Sequence, residues 1–226
     1  MLLHDQVLSS CMDASKKSFE TAGGVERHDT EALRIGEERV FTTYIKGRVL
    51  DLGCGTGRTT VYLARTCEVI GVDYSEAMIR RAKELHPLLD LRVMDARKLE
   101  FPDESFDAVF FSFDGIDYLY PFAERLKGLR EIRRVLKPGS VFAFTSNWSK
   151  RPMPNNPRRV LGWLYALSHG IHSPYFSFFT GYGFLVTYAA PRETQLRTLQ
   201  QEGFELVEDF PTKPGEQMYV VRKSSV

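Results

Sequence analysis

Short apolar runs alternate with segments of helical spacing along the chain from residue 49 onward. Five apolar runs predict buried strands, at residues 49–52, 68–73, 91–94, 106–111 and 140–145. Between them, apolar positions three and four apart predict helices at residues 59–65, 76–85 and 119–136, the last ended by Lys137, Pro138 and Gly139. This alternation predicts βαβ units and a mostly parallel sheet.

Both ends of the chain add predicted elements. Residues 1–46 form an N-terminal helical segment with two helices, around positions 7–11 and 33–40, separated by Gly23 and Gly24. At the other end, a helix at 193–202 precedes a hairpin with strands at 204–210 and 217–222. The predicted fold class is therefore α/β, with a seven-stranded sheet, helices on both faces and N-terminal helices.

Residues 148–190, called the insertion below, interrupt this alternation. They contain four prolines and ten aromatic residues, and such aromatic density beside a pocket is typical of an apolar ligand wall. We interpret the insertion as a lid after strand five, although packing of an inserted subdomain or a dimer contact would give the same composition. We expect one domain over residues 1–226, with a binding core at 47–147 and a C-terminal helix and hairpin at 191–226.

Composition is typical of a globular chain. The 226 residues are 43% hydrophobic and 26% charged. No stretch approaches the roughly 18 uncharged apolar residues of a membrane span, and the N-terminus, MLLHDQVLSS, does not resemble a secretory signal. We expect a cytoplasmic protein with no transmembrane segment. The three cysteines have no metal-ligand spacing, so we predict no metal site.

The candidate chemistry lies where the first predicted strand ends. Residues 49–57 read VLDLGCGTG, a buried strand that leads into three glycines and then a helix. Glycines allow a tight turn and let a ligand approach the main chain. Asp73 ends the next strand, about where a carboxylate receives ribose hydroxyls in dinucleotide folds. These features predict a nucleotide-like ligand.

The spacing of the glycines narrows the choice of ligand. Gly53, Gly55 and Gly57 are spaced G-x-G-x-G, whereas nicotinamide and flavin sites use G-x-G-x-x-G. Asp51 would repel a pyrophosphate but attract the ammonium group of a methionine moiety. No G-x-x-x-x-G-K-[ST] motif occurs, which excludes a P-loop. A nicotinamide oxidoreductase is thereby disfavoured.

Residues 49–60, VLDLGCGTGRTT, resemble the first motif of class I S-adenosylmethionine-dependent methyltransferases. The likeness covers residues 48–147, returns at 192–222, and is closest to the type-11 and type-25 group that modifies small molecules. It implies a Rossmann-like fold, S-adenosylmethionine as cofactor with S-adenosylhomocysteine as product, and a small-molecule acceptor.

The resemblance also assigns the glycine loop to the cofactor. Gly53, Gly55 and Gly57 are expected to line the methionine and ribose, and Asp51 is expected near the ammonium group. We interpret Cys54, within the same loop, as a small residue tolerated in the turn.

A second group of residues is expected around the nucleoside. By the same resemblance, Asp73 binds the ribose hydroxyls, while Tyr74 and Met78 pack against adenine. Asp95 is placed to take the adenine amino group, with the main chain of Ala96 beside it.

Catalysis of methyl transfer mainly requires the nucleophile and the methyl carbon to be aligned, roughly 3 to 3.5 Å apart. Ser112 and Phe113, at the end of strand four, are expected to face the methyl group. A general base helps only where the acceptor loses a proton. Asp114 is a candidate to orient an amine or hydroxyl, or is a loop residue. His169 and His172 are candidate bases, or polar surface residues.

A missing sequence motif and the distribution of charged residues limit the choice of acceptor. The [DN]-P-P-[YF] signature of enzymes that methylate base amino groups is absent after strand four, and a net charge of +1 gives no general attraction to nucleic acid. We therefore expect no DNA partner and disfavour RNA. No Asp or Glu occurs from Ile132 through Arg192, while Arg151, Arg158 and Arg159 lie there. This suits a flat or lipid-like anionic acceptor, or a membrane surface.

Three other interpretations stay open. Aromatic residues interleaved with arginines could bind RNA, which would make the chain an RNA methyltransferase. A non-catalytic S-adenosylmethionine-binding subunit would keep the same loop. A homodimer is also compatible with the aromatic composition of the insertion.

Overall fold

The computed structural model describes residues 15–26, 29, 32–147, 157–172, 174–181 and 183–224. A sheet of seven strands forms its centre: β1 (Arg48–Leu52), β2 (Glu68–Asp73), β3 (Asp90–Val93), β4 (Phe106–Phe111), β5 (Leu136–Asn147), β8 (Phe204–Lys213) and β9 (Glu216–Lys223). Their order is β3-β2-β1-β4-β5-β9-β8. The first five strands pair in parallel, and β9 runs antiparallel to β5 and β8. The predicted mostly parallel seven-stranded sheet is confirmed.

Helices cover both faces of this sheet, as predicted. They are α1 (Ala22–Glu26), α2 (Glu37–Thr43), α3 (Arg58–Leu63), α4 (Glu76–Leu85), α5 (Phe122–Val135), α6 (Pro157–Ser168) and α7 (Arg192–Gln201). Residues 15–20 are also helical, and Gly115–Tyr118 form a 3₁₀ helix. Within the described ranges, none of the helices has both the length and the apolar character needed to cross a bilayer.

The two faces form separate cores because side chains alternate along each strand. Leu50 of β1 belongs to a cluster that also contains Ile132 of α5 and Leu199 of α7. Val49, the neighbouring residue, belongs to the opposite cluster with Val40 of α2 and Leu63 of α3. The central strands are therefore buried on both faces, which explains their nearly continuous apolar sequences.

The N-terminal prediction needs a correction. Gly23 and Gly24 do not separate two helices; they lie within α1, and the irregular residue is Thr21. The Thr21 Oγ1 atom accepts a hydrogen bond from the Gly24 N–H at 3.0 Å, as a helix cap does. A Cβ at Gly24 would lie 2.1 Å from the Ser18 carbonyl oxygen, so glycine permits close packing here. The helix predicted around positions 7–11 lies outside the described residues.

The described part of the insertion contains α6 and a separate antiparallel pair, β6 (Tyr175–Phe179) and β7 (Phe184–Tyr188). Ala166, Tyr175 and Tyr188 pack with Tyr120, which follows the 3₁₀ helix. The Tyr175 hydroxyl donates to the Leu119 carbonyl oxygen at 2.8 Å. The insertion is thus anchored on the segment that follows β4. Three of its predicted residues lie outside the described ranges: Trp148, Arg151 and Tyr182.

Candidate functional site

A cavity opens at the carboxyl ends of β1, β2 and β4. At this point the strand order reverses: β2 and β3 lie on one side of β1, and β4 and β5 lie on the other. Ligands of open parallel sheets bind at such a switch point. The cavity holds about 860 Å³ including its open mouth, and apolar atoms dominate its wall. Nine of the twelve residues predicted at the cofactor line it: Gly53, Gly55, Asp73, Tyr74, Met78, Asp95, Ala96, Ser112 and Phe113.

The loop after β1 needs glycine for two different reasons. Gly53 and Gly55 have φ angles of 65° and 56°, a region that other residues rarely adopt. A Cβ at Gly53 would also lie 2.5 Å from Cε2 of Phe111, whereas a Cβ at Gly55 would have no neighbouring atom within 4 Å among the described residues. Gly53 therefore packs against the end of β4, and Gly55 leaves space beside the cavity.

Asp73 ends β2 with its carboxylate held at the cavity wall. Its Oδ2 accepts a hydrogen bond from the Gly55 N–H and its Oδ1 from the Ser75 N–H, each at 2.9 Å. Burial raises the pKa of Asp73, and these main-chain donors oppose the rise. The carboxylate is thus fixed in position between the glycine loop and the start of α4.

Asp95 and two apolar side chains form the far side of the cavity. Asp95 is paired with Arg97, whose Nε lies 2.9 Å from Oδ1 of Asp95. Burial acts to raise the pKa of Asp95, but the hydrogen bonds and charge of Arg97 outweigh it and the pKa is lowered. Tyr74 and Met78 complete this wall, and Met78 is positioned because its N–H donates to the Ser75 hydroxyl at the start of α4.

The helical residues 15–20 also line the cavity, through Ser15 and Phe19. The Phe19 ring meets Tyr118 edge-on at 5.3 Å and Tyr74 at 6.4 Å between ring centroids. Sequence reasoning did not find these two residues. Their contacts are with residues far along the chain, so no short motif marks them.

Three of the twelve predicted residues do not line this cavity. The Asp51 carboxylate faces the start of α3, where its Oδ2 accepts hydrogen bonds from Thr59 at 2.8 Å and Thr60 at 2.6 Å. Its burial raises the pKa to about 6. Cys54 lines a smaller adjoining cavity, and Gly57 precedes α3 as its cap residue. Asp51 therefore holds the first turn of α3 against the end of β1.

A buried ion pair connects α2 to the cavity wall, and sequence reasoning did not find it either. The Glu37 carboxylate pairs with Arg58, with Arg58 Nη2 at 2.8 Å from Oε1, and accepts a hydrogen bond from Ser112 Oγ. The pKa of Glu37 is lowered: burial acts to raise it, but Arg58 and Ser112 outweigh that effect. The guanidinium of Arg34 stacks on Phe113 at 3.7 Å. Ser112 and Phe113 are thus both positioned by residues near α2.

The predicted bases lie away from the cavity wall. Asp114 is buried, and burial together with the nearby Asp117 and Glu216 carboxylates raises its pKa well above the usual range. Its N–H donates to Thr145 Oγ1 at 2.8 Å. In the insertion, His169 stacks on Tyr165 at 4.0 Å between ring centroids, and His172 is exposed. The structure does not bring any of these three side chains into contact with the cavity.

The residues that line the cavity fit the chemical groups of S-adenosylmethionine. A fixed carboxylate, Asp73, is a suitable acceptor for two vicinal hydroxyls. The apolar surfaces of Tyr74 and Met78 suit a flat aromatic ring. The open space beside Gly55 lets a ligand reach the main chain.

Residues 49–139 match the protein-family model described as a methyltransferase domain. The chain is 36% identical over 114 residues to the phosphatidylethanolamine N-methyltransferase of Cereibacter sphaeroides, covering 48% of this chain and 54% of that protein. It is 35% identical over 125 residues to the demethylmenaquinone methyltransferase of Streptomyces avermitilis, covering 50% and 52%. The chain spans about half the length of these curated relatives.

A solved structure shows the same fold over nearly the whole chain. The CcbJ methyltransferase of Streptomyces caelestis superposes with a TM-score of 0.68 at 20% identity, covering 94% of this chain and 99% of that one.

Proposed function

We propose that the chain, whose residues 49–139 match the methyltransferase-domain model, is a class I S-adenosylmethionine-dependent methyltransferase that transfers a methyl group from S-adenosylmethionine to a small, apolar, lipid-like acceptor. The observation that carries this proposal is the convergence of nine predicted cofactor residues on one cavity. Asp73 ends β2 and Met78 lies in α4; the other seven residues follow β1, β2, β3 and β4, whose carboxyl ends meet at one edge of the parallel sheet.

The cofactor would lie across the carboxyl ends of β1 and β2. In this arrangement Asp73 accepts hydrogen bonds from the ribose hydroxyls, and Tyr74 and Met78 hold the adenine. Asp95 and the Ala96 main chain face the adenine amino group. The methionine part follows the main chain of Gly53 and Gly55. When bound, the cofactor supplies an electrophilic methyl group on a sulfonium.

The acceptor would approach from the side of Ser112 and Phe113. The wall there is apolar and includes Phe111, Tyr118 and Leu119, which suits a hydrocarbon or an aromatic ring. Two relatives carry lipid acceptors in their names, phosphatidylethanolamine and demethylmenaquinone. We assign this chain the same class of acceptor and do not choose between oxygen, nitrogen and carbon nucleophiles.

The chemistry of the chain itself is mainly alignment. In-line displacement on a sulfonium needs the nucleophile held at roughly 3 to 3.5 Å from the methyl carbon. Asp114, His169 and His172 do not line the cavity, so they would reach an acceptor only after rearrangement. We therefore favour transfer that relies on positioning and exclusion of water, with the insertion as a cover over the acceptor.

We propose one domain over the whole chain, a cytoplasmic location and a homodimer. Among the described residues, the insertion reaches residues 15–20 through a hydrogen bond between Ser18 and Thr180 at 3.2 Å. This contact supports a cover built jointly by the insertion and the N-terminal segment.

A labelled transfer assay tests the proposed function. The purified chain is incubated with S-adenosylmethionine labelled in the methyl group, with either a total lipid extract or total RNA. We expect label in the organic phase, and we expect Asp73→Asn to reduce it while Asp90→Asn, an exposed site at the start of β3, does not. Label in the RNA, or equal transfer by both variants, would contradict the proposal.

A further inference from the structure

Helix α6 packs on the rest of the insertion through one narrow face. Gly162 and Ala166 are its buried residues. A Cβ at Gly162 would lie 2.3 Å from the Ser177 carbonyl oxygen and 2.5 Å from Cα of Phe178, so the helix lies directly against β6. The Ser177 hydroxyl donates to the Gly162 carbonyl oxygen across the same contact. The orientation of α6 on the hairpin is thereby fixed.

The opposite face of α6 is apolar and exposed. Five large hydrophobic side chains are between 40% and 59% exposed: Val160, Leu161, Trp163, Leu164 and Leu167. At about 100° per residue, these five positions form one continuous arc of about 160° around the helix. We call this arc the α6 stripe. Exposed hydrophobic residues occur singly on most proteins, but five on one helix face indicate a binding surface.

The charged residues of α6 itself are all positive. Arg158 and Arg159 occupy helix positions beyond its two edges, and Arg158 is exposed. The sequence from Ile132 through Arg192 contains no Asp or Glu. The surface that covers the stripe should therefore be apolar in its interior and negatively charged at its border.

We propose that α6 docks in the plane of an anionic lipid bilayer, with the α6 stripe in the interfacial region and Arg158 against lipid phosphates. The 12 residues of α6 extend about 18 Å, too short for the roughly 30 Å hydrocarbon core but suited to lying along its surface. Trp163 lies at one edge of the stripe, and tryptophan is enriched at the interface between membrane and water.

A second copy of the chain fits the stripe less well. A homodimer through α6 would bring the same arginines to the interface from both copies, and α6 itself contains no acidic residue to pair with them. Lipid phosphates supply the missing charge. The proposal does not depend on which molecule is methylated, because the stripe lies outside the cavity wall.

Vesicle binding by matched variants tests this proposal. Sedimentation is measured with vesicles of equal parts phosphatidylglycerol and phosphatidylcholine, and with phosphatidylcholine alone. We expect the chain to bind the anionic vesicles, and Leu164→Ser/Leu167→Ser to lower the partition coefficient at least about tenfold. The control Leu88→Ser/Leu206→Ser, at positions 97% and 42% exposed and outside the insertion, should change it by less than about twofold.

The charge is tested separately. Arg158→Ser should lower the partition coefficient on anionic vesicles. The difference in partition coefficient between this variant and the unmodified chain should shrink at high salt, which screens the charge. Equal binding by the unmodified chain and Leu164→Ser/Leu167→Ser, or no binding to anionic vesicles at all, would overturn the proposal. Sedimentation equilibrium without lipid measures the oligomeric state. If the unmodified chain is a dimer and Leu164→Ser/Leu167→Ser is a monomer, the stripe binds a second copy of the chain and the proposal is overturned.

A spectroscopic readout keeps the test valid if the serine pair fails to fold. The chain has two tryptophans, so Trp148→Phe leaves Trp163 as the only indole. On addition of anionic vesicles, its emission should shift to shorter wavelength as the ring leaves water. An unchanged emission spectrum would overturn the proposal. Binding of S-adenosylhomocysteine by the same variant should equal that of the unmodified chain, which distinguishes a loss of membrane docking from a failure of the cofactor site.

Discussion

Asp73 shows how one side chain is prepared for a ligand before the ligand arrives. Two main-chain N–H groups hold its carboxylate, one from the glycine loop and one from the start of α4. A carboxylate fixed in this way loses little conformational freedom on binding. The glycine loop and Asp73 therefore form one unit, although 18 residues separate Gly55 from Asp73.

We predict that Asp73→Asn weakens the binding of S-adenosylhomocysteine by about 1.5 to 3 kcal/mol, the usual value of hydrogen bonds to a charged group. Calorimetric titration measures this change. The control is Asp90→Asn, because Asp90 is exposed, pairs with Arg92 and lies at the amino end of β3. Equal affinity in the two folded variants would contradict the role of Asp73.

Asp51 should give the folded chain a measurable pH dependence. Burial raises its pKa to about 6, above the value of about 3.9 in an unfolded chain. The folded state therefore binds more protons between these values, so the stabilisation is complete below about pH 4 and is lost as the pH rises through about 6.

We predict that, from pH 7 to pH 5, the free energy of unfolding of the unmodified chain rises by about 1 kcal/mol relative to Asp51→Asn. Urea unfolding at both pH values measures the difference, and other titrating groups are common to both proteins. Parallel pH profiles for the two would show that Asp51 is not the titrating group.

At the scale of residues, the sequence predicted which residues at the carboxyl ends of the strands line the cavity. Gly53, Asp73 and Ser112 come directly after or at the ends of apolar runs, and parallel strands bring their carboxyl ends to one edge. The same reasoning could not tell that Asp51 faces Thr59 and Thr60. Which side of a turn a side chain occupies depends on packing, which spacing alone does not contain.

At the scale of elements, a buried ion pair joins α5 to the 3₁₀ helix. Arg125 is 1% exposed and its Nη1 lies 3.0 Å from Oδ1 of Asp117. The Asp117 carboxylate also accepts hydrogen bonds from Ser146 and from the Asn147 N–H, each at 2.7 Å. The Arg125 guanidinium stacks on Tyr188 of β7 at 4.2 Å. The Arg125–Asp117 pair thus connects α5 to β5 through Asp117 and to the insertion through Arg125.

We predict that Arg125→Met lowers the free energy of unfolding by about 3 to 5 kcal/mol, because it leaves a buried carboxylate without its cation. Urea unfolding measures the loss. The matched control on the same helix is Arg130→Met, whose exposed pair with Glu202 should contribute at most about 1 kcal/mol. Similar losses for both variants would contradict the importance of the buried pair.

The elements differ in how far they could be predicted. Helix α4 was predicted at residues 76–85 and is found there, because Ser75 caps it and its apolar positions repeat regularly. The two elements of the insertion, α6 and the hairpin, were not predicted, since prolines and aromatic runs obscure any period. The break predicted at Gly23 and Gly24 was wrong, because Gly24 serves close packing within α1 and does not interrupt the chain.

At the scale of the whole molecule, the sheet order and the cavity follow from alternating strands and helices. What the sequence did not contain is how distant segments close over that cavity. The helical residues 15–20 beside it are supported by the insertion, through Ser18 with Thr180 and Ser15 Oγ with the Val186 N–H at 3.3 Å. Contacts between such distant positions leave no local pattern in the sequence.

The central claim is that this cavity binds S-adenosylmethionine and not a dinucleotide. The most direct measurement is calorimetric titration of the unmodified chain with S-adenosylhomocysteine and, separately, with NADH, repeated with Gly55→Val. We predict one saturable site for S-adenosylhomocysteine, none for NADH, and loss of the site in Gly55→Val, because a β-branched residue is strained at a φ of 56° and fills space beside the cavity. Binding of NADH without binding of S-adenosylhomocysteine would contradict the claim.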